Sequence, residues 1–309
     1  MIYRVRHVTR YDYRTPVDLG VHLAHLRPRR LPGQQVLQAE VRAAPAVSWR
    51  HEGRDHFGND VTWLSLDAAH AAFEVTAEST VDVLFREAPE PSATPGWETV
   101  AHVAVNGGPD GWQAAEFVFD SPLAQAGAEA RAYAAPSFAP ARPNLAALLD
   151  LNARIHSDFT FRPGVTTTST PIRDVMRRRE GVCQDFAHVM ISMLRSFGIP
   201  ARYVSGYIRT RPSPGHKRRL GADQSHAWVG AWLGSEHGWL DLDPTNGIVV
   251  RDEHVVLGWG RDYSDVTPLR GVILGGGEQS LAVRVELDAL TVDGVSADQT
   301  QGIDGADVR

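Results

Sequence analysis

The stretch REGVCQDFAHVMISMLRSFGIPARY, from Arg179 to Tyr203, contains Cys183, the only cysteine among 309 residues. After this cysteine, apolar residues recur at the three- and four-residue spacing that is typical of one buried face of an α-helix. They are Phe186, Val189, Met190, Met193, Leu194 and Phe197. Gly198 and Pro200 then supply a C-terminal stop signal. The pattern therefore predicts a helix of about four turns that begins at or near Cys183.

A thiol at the start of a helix can be interpreted in two ways. Free cysteine is usually a small buried side chain, so packing is the simpler interpretation. However, the unpaired N–H groups and the positive dipole end of a helix stabilise a thiolate and can donate to a developing oxyanion. The polar neighbours of Cys183, among them Gln184 and Asp185, are unusual around an inert core residue. A nucleophile would also need a histidine base and an orienting carboxylate or amide.

Two downstream segments, SHAWVGAWL and GWLDLDPT, supply candidates for both partners. Their alternation predicts two strands, with His226 at the start of the first and with Asp241 and Asp243 on one face of the second. If Gly234 and Ser235 form a two-residue hairpin loop, His226 lies directly opposite Asp243. Asp243 is therefore the better candidate for the orienting carboxylate.

We predict that three residues act together in acyl transfer. Cys183 attacks, His226 takes up and returns the proton, and Asp243 fixes the imidazole tautomer. The segments GVCQDFAHVMISMLRSFGIPARYVSGYI, SHAWVGAWL and GWLDLDPTNG resemble the core of the transglutaminase-like superfamily, in its bacterial branch. The segment GRDYSDVTPLRGV resembles the stretch that follows this core. HVTRYDY, LRPRRLPGQQV and DHFGNDV resemble the N-terminal β domain of the same branch.

The resemblance implies an α+β fold, in which an N-terminal β domain precedes a papain-like core. In that core a helix bearing the cysteine packs on an antiparallel sheet that bears the histidine and the aspartate. Carried over by position, the nucleophile is Cys183, the base is His226 and the orienter is Asp243. The resemblance also implies an amide or peptide acyl group as substrate and an acyl-enzyme resolved by an amine or by water. It implies no metal and no other cofactor.

Two hypotheses for the function stay open at this point. The first is a cysteine-dependent peptidase, amidase or transamidase, with hydrolysis slightly favoured over cross-linking because water is always present as acceptor. The second is a binding or scaffold module that keeps the fold without using it. Under the first hypothesis, we expect a peptide or protein as partner. Candidate substrate-binding residues are Gln184 and Asp185 at the rim of the site, and Trp228 and Trp239 along the acceptor channel.

Composition excludes several other classes of protein. Hydrophobic residues make up 43% of the chain and charged residues 22%, as in an ordinary globular protein. The formal net charge of −6 argues against a general binder of nucleic acid or of anionic membranes. The alternating N-terminal segment lacks the apolar core of a signal peptide, and no apolar run approaches the roughly 18 residues of a membrane span. We therefore predict a cytoplasmic protein without nucleic-acid or membrane partners.

The chain is predicted to divide into four parts. Residues 1–85 alternate as strands do and form a β-rich domain. Residues 86–120 are rich in Pro, Ala, Gly and Ser and form a connector. Residues 121–290 form the catalytic domain with a C-terminal strand, and residues 291–309 form a disordered acidic and polar tail.

Overall fold

The computed structural model describes residues 1–84, 87–209 and 224–290, so the predicted tail at residues 291–309 lies outside the described residues. The described strands, in chain order, are β1 (Ile2–Ala24), β2 (Gln34–Ala44), β3 (Trp49–Arg54), β4 (Asp60–Leu66), β5 (His70–Val83), β6 (Thr160–Phe161), β7 (Glu180–Gly181), β8 (Ala201–Ile208), β9 (Gln224–Trp232), β10 (Trp239–Asp243), β11 (Ile248–Val249), β12 (His254–Gly260), β13 (Leu269–Gly275) and β14 (Gln279–Leu290). The described helices are α1 (Trp97–Asn106), α2 (Pro109–Ala115), α3 (Ala128–Ala134), α4 (Asn144–Asp158), α5 (Ile172–Arg178) and α6 (Cys183–Ser196). Across these ranges, no helix combines the length and the apolar character needed to cross a membrane.

The long strand β1 organises a seven-stranded sheet with the order β2-β5-β1-β4-β3, to which β13 and β14 add on β1. The first half of β1 lies between β5 and β14, and its second half lies between β4 and β13. The C-terminal strand, β14, was predicted as part of the catalytic domain, but it pairs with β1 of the seven-stranded sheet. Alternation predicted a strand there, but its partner is set by contacts with the opposite end of the chain.

A second sheet of five antiparallel strands has the order β11-β10-β9-β8-β12. Helix α6 packs against β8 and β9 of this sheet. The predicted apolar face of α6 is buried, and α6 shares one core cluster with residues of α3, α4 and α5. The α+β architecture, with the cysteine helix on an antiparallel sheet, is confirmed.

The segment predicted as a connector folds into the helices α1 and α2 and packs on the second sheet. Val100, Ala104 and Ala114 form a buried cluster with Trp232 of β9.

The end of this segment is also held by Arg195 of α6, which is 4% exposed. Its guanidinium donates to carbonyl or hydroxyl oxygens of Phe117, Ser121, Ala124, Ala201 and Arg261. From residue 87 onward the predicted connector is therefore packed on the second sheet, and its helices were not predicted from its composition.

The two sheets are joined by a common core rather than by a flexible hinge. Tyr3 and Leu287 of the seven-stranded sheet are buried in one cluster with Tyr207 and Val255 of the five-stranded sheet. Within this interface, His7 Nδ1 is hydrogen-bonded to the Tyr207 hydroxyl at 2.9 Å. The position of β8 and β12 therefore depends on the N-terminal sheet.

The outer edge of β12 is occupied by two side-chain amides from the N-terminal region. Gln34 accepts from the Val256 N–H at 2.7 Å and donates to the Val256 carbonyl at 2.8 Å. Asn59 accepts from the Trp259 N–H at 2.9 Å and donates to the Trp259 carbonyl at 2.8 Å. Each amide thus makes the two bonds that a neighbouring strand would make. The spacing of three fits the bulge between Val256 and Gly258.

The Gln34 amide provides a test of how firmly the two parts are joined. Gln34→Met keeps the length of the side chain but leaves the buried Val256 N–H without its acceptor, so we expect a loss of about 1–3 kcal/mol in the free energy of unfolding. Urea unfolding followed by circular dichroism measures this loss. The matched control is Gln35→Met, because Gln35 is the exposed neighbour on the same strand. Equal stability of the two variants would contradict this role of the Gln34 amide.

Candidate active site

Cys183 is the first residue of α6, as predicted, and its side chain is partly exposed. The turn before the helix is held by Asp185, whose carboxylate accepts from the Val182 N–H at 2.8 Å and from Thr166 Oγ1 at 2.7 Å. A Cβ at Gly181 would lie 2.7 Å from Asp185 Oδ2, so glycine leaves the room that this cap requires. The first N–H groups of α6 have no acceptor within the helix, which leaves them available beside the thiol.

Asp185 therefore has a structural task that the sequence analysis did not assign to it. The carboxyl group is 4% exposed and lies on the inner side of the first turn. Burial raises its pKa, although the hydrogen bonds from Thr166 and Val182 act in the opposite direction. An interaction with substrate would have to displace the Val182 N–H or the Thr166 hydroxyl, so the structure assigns Asp185 to capping instead.

His226 of β9 and Asp243 of β10 are hydrogen-bonded, with 2.7 Å between His226 Nε2 and Asp243 Oδ2. The hairpin register that was used to pair them is nevertheless wrong. Trp239 pairs with Trp232 and Leu242 pairs with Val229, so the register is shifted by two residues from the predicted one. The loop is longer than two residues, and Leu233 N donates to the Gly238 carbonyl across it.

A shift of two residues keeps every side chain on its predicted face. His226 and Asp243 consequently remain on one face of the sheet, as diagonal neighbours instead of directly opposite ones. At this distance, such neighbours can still be bridged by a long side chain. The alternation of the two strands was therefore enough to predict that His226 and Asp243 lie close together, although the predicted length of the turn was wrong.

The Asp243 carboxylate is fully buried and accepts hydrogen bonds on both oxygens. Oδ1 accepts from the backbone N–H groups of Thr245 at 2.9 Å and of Asn246 at 3.2 Å. Oδ2 accepts from His226, from Asn246 Nδ2 at 2.6 Å and from His254 Nε2 at 3.2 Å. A buried carboxylate with this many donors is held as an anion.

These contacts determine how the pair titrates. Burial alone would raise the pKa of Asp243, but the hydrogen bonds from His226 and His254 hold it well below its usual range. Burial alone would lower the pKa of His226, but hydrogen bonds with Asp243 and Cys183, together with their charges, raise it to about 10. The arrangement therefore favours an imidazolium between a carboxylate and a sulfur atom.

Sequence reasoning missed two residues of the site, Asn246 and His254. A local signal existed for Asn246, because Asp243 precedes Pro244 in a turn where an aspartate commonly accepts from the backbone two and three residues on. No local signal existed for His254. Two strands, β9 and β8, separate β10 from β12, and in a flat sheet this would place them about 14 Å apart. The contact therefore spans two intervening strands, which no local pattern indicates.

The other predicted substrate-binding residues are distributed differently. Gln184 is partly exposed beside Cys183 and stays a candidate for the rim. Trp228 is fully buried, donates from Nε1 to Asp241 Oδ2 at 3.0 Å and therefore has no surface to offer a substrate. Trp239 lies at the opposite end of β10 from Asp243, where Arg202 stacks on its ring. The structure does not support the two tryptophans as channel residues.

His226, Asp243 and His254 are also the group most able to hold a metal ion among the described residues. Their potential ligand atoms lie within 4.8 Å of one another. However, both imidazole Nε2 atoms lie at hydrogen-bond distance from the same carboxylate oxygen, and hydrogen bonds account for the close approach. That the protein needs no metal stays a prediction.

The fold and the site together define a class, an α+β protein with a helix-terminal thiol beside an imidazole–carboxylate pair. Residues 3–82 match the family described as bacterial transglutaminase-like N-terminal region, and residues 131–244 match the transglutaminase-like superfamily. An uncharacterised protein of Mycobacterium tuberculosis is 40% identical over 301 residues, which cover 94% of this chain and 93% of that protein. The chain therefore belongs to the transglutaminase-like superfamily and carries the N-terminal region of its bacterial members.

Two further comparisons concern the fold and a shorter part of the chain. The crystal structure of a proposed cysteine protease from Cytophaga hutchinsonii is similar, with a TM-score of 0.75 and 22% identity over 96% of this chain and 93% of that one. It supports the fold. A protein-glutamine gamma-glutamyltransferase of Pseudomonas aeruginosa is 36% identical over 88 residues, which are 28% of this chain and 13% of that protein.

The raised pKa of His226 gives a test by stability. Because the folded state holds this proton more tightly than the unfolded chain, the protonated ring stabilises the fold fully below its ordinary pKa of 6.5, and the effect declines as the pH rises toward about 10. We expect the difference in free energy of unfolding between wild type and His226→Gln to be larger near pH ~6 than near pH ~10. Urea unfolding at several pH values measures it.

The control for this measurement is His51→Gln, since His51 is exposed on β3. This variant is expected to differ from wild type by a small amount that does not follow the same trend. A difference for His226→Gln that stays constant from pH ~6 to ~10 would contradict the ion pair.

Proposed function

We propose that the protein is a cysteine-dependent acyl-transfer enzyme that acts on peptide or side-chain amides through Cys183, His226 and Asp243. The observation that carries this proposal is the 2.7 Å bond from His226 Nε2 to Asp243 Oδ2. Since this bond occupies Nε2, it is Nδ1 that is left to exchange a proton with the Cys183 thiol. Hydrogen bonding with Cys183 contributes to the raised pKa of His226. Proton exchange between nucleophile and base requires this contact.

In the acylation half of the reaction, His226 takes the thiol proton and the Cys183 sulfur attacks the amide carbon. The carbonyl oxygen becomes an oxyanion, and the helix-terminal N–H groups, those of Cys183 and Gln184, are suited to stabilise it. The carbon–nitrogen bond then breaks as the imidazolium returns its proton to the amine nitrogen. The amine leaves, and a thioester remains on Cys183.

In the second half, the thioester is transferred to an acceptor. A water molecule gives one proton to His226 and its oxygen attacks the thioester carbon, after which the carbon–sulfur bond breaks and Cys183 is regenerated. The product is a carboxylic acid. Throughout both halves Asp243 stays ionised, holds the imidazole in one orientation and stabilises its positive charge.

Hydrolysis is slightly favoured over cross-linking to an amine, because water needs no binding site of its own. The expected substrate is a peptide or protein, which is consistent with a partly exposed thiol on the surface side of α6. The cytoplasmic location stays a prediction.

Trapping of the acyl-enzyme tests the reaction. Purified protein is incubated with a peptide digest and analysed by intact-mass and peptide mass spectrometry. We expect adducts on Cys183 that hydroxylamine removes, since thioesters react readily with it, and none on Cys183→Ala. A labelled primary amine added in parallel separates the two outcomes, because label in the product would favour cross-linking. A protein that forms no hydroxylamine-sensitive adduct and leaves the peptides uncleaved and unlabelled would be a binding module.

Variants of the three residues should differ in a characteristic order. Cys183→Ala is expected to abolish turnover and His226→Ala to come close to this, because each removes a reacting group. Asp243→Asn should retain more activity, with a loss on the order of 10²–10⁴-fold, because it disturbs orientation and tautomer alone. Product formation from the peptides identified by trapping measures the series, and circular dichroism confirms folding. Unchanged turnover in Cys183→Ala would contradict the assignment.

A further inference from the structure

We propose that His254 is a positioning residue for the acyl-transfer reaction, holding the Asp243 carboxylate in the orientation that His226 requires. The inference rests on the proposed function, which uses His226 as the base. It adds a fourth residue to the arrangement, contributed by a strand that lies outside the segment matching the transglutaminase-like superfamily.

The hydrogen bond itself determines which nitrogen of His254 carries a hydrogen. An ionised carboxylate can only accept, so the 3.2 Å contact with Asp243 Oδ2 requires a hydrogen on His254 Nε2. The other ring nitrogen, Nδ1, is buried and has no hydrogen-bond partner in the described part of the chain. A hydrogen on Nδ1 would therefore lack an acceptor, and the Nε2–H tautomer is favoured.

Among the described residues, the surroundings of His254 offer its ring one hydrogen-bond partner. Its side chain is 1% exposed, and the Trp228 ring packs edge-on against it with 5.1 Å between centroids. The titratable groups that face it from neighbouring elements are Asp243 of β10 and His226 of β9, and Cys183 of α6 lies beyond His226. The one hydrogen bond that its ring makes among the described residues is therefore the bond to Asp243 Oδ2.

The effect of His254 on the reaction follows from the atom that it shares with His226. Both imidazoles donate to Oδ2, so this oxygen is fixed between two rings from different strands. Rotation of the carboxylate about its Cβ–Cγ bond would break both contacts together. Partners of this kind, one step removed from the reacting atoms, are commonly needed for full activity.

The backbone that carries His254 is itself firmly held. His254 pairs with Ile208 of β8 on one side of β12. Two residues further along, both backbone groups of Val256 bond to the Gln34 side chain from the N-terminal region. The N-terminal β region thereby contributes to the geometry of the site without touching the reacting atoms.

The test uses alkylation of Cys183 by iodoacetamide across pH, which needs no substrate. A thiolate paired with an imidazolium reacts well below the pH of about 8.5 that is typical of a free thiol. His254→Leu keeps an apolar side chain in the pocket and removes the donor, whereas His254→Gln places an amide N–H at a similar reach. We expect His254→Leu to react about tenfold more slowly near neutral pH, as one lost bond to a charged group implies.

Three further results are expected in the same experiment. The pH at which the rate is half of its maximum should move to higher pH in His254→Leu, because a less well oriented carboxylate stabilises the imidazolium less, and with it the thiolate. His254→Gln should stay within about twofold of wild type. The matched control is His70→Leu, since His70 is also buried with one bonded and one unpaired nitrogen but lies in the seven-stranded sheet. It should lower stability without altering the alkylation profile.

The outcomes separate this inference from the proposed function. If wild type reacts like a free thiol and His226→Gln does not change its profile, the proposed function fails and the inference fails with it. If wild type and His226→Gln behave as proposed but His254→Leu matches wild type, only the inference is overturned. A shift of the half-maximal pH to lower pH in His254→Leu would also overturn it, because His254 would then withdraw charge from the carboxylate instead of orienting it.

Discussion

A fully buried carboxylate, that of Asp243, is the constraint on which the site depends. An ionised group removed from water is very unfavourable unless donors replace the lost hydration. Here the donors come from three places: β9 through His226, β12 through His254, and the turn after β10 through the backbone and side chain of Asn246. The strands must therefore keep their relative positions for the charge to be tolerated. The same requirement that stabilises the anion also orients the imidazole beside Cys183.

The seven-stranded sheet contributes to this arrangement at a distance. The strands β5 and β14 both pair with β1, and the segment that contains the site lies between these two strands along the chain. Its core extends into β8 and β12, and Gln34 and Asn59 fix the backbone of β12. A change in the N-terminal region can therefore reach Asp243 through continuous packing and hydrogen bonds. The N-terminal region is part of the structure that supports the site, although none of its side chains bonds to Asp243 among the contacts described.

Much of the site could be predicted from the sequence because it depends on periodicity. The helical spacing after Cys183 predicted α6, and the alternation of two strands placed His226 and Asp243 on one face. The register was wrong by two residues, yet the face was right, because side chains repeat every second residue along a strand. The α+β fold was predicted from the same patterns together with the family resemblance.

The remainder could not be predicted, since it depends on contacts between distant segments. His254 reaches Asp243 across two intervening strands, and the partner of β14 lies near the opposite end of the chain. The roles of two further residues depend on their burial, which the local sequence did not indicate. Asp185 was predicted at the rim of the site but caps the helix, and Trp228 was predicted to line a channel but is fully enclosed.

The two edge strands of the five-stranded sheet, β11 and β12, determine whether a polypeptide could bind to it as an added strand. Extended peptides often bind by adding a strand to an exposed sheet edge. At β12 the outward-facing groups of Val256 and Trp259 are already taken by side-chain amides, and the strand at the other edge, β11, is two residues long. Neither edge therefore offers the continuous ladder of free backbone groups that the addition of a strand requires.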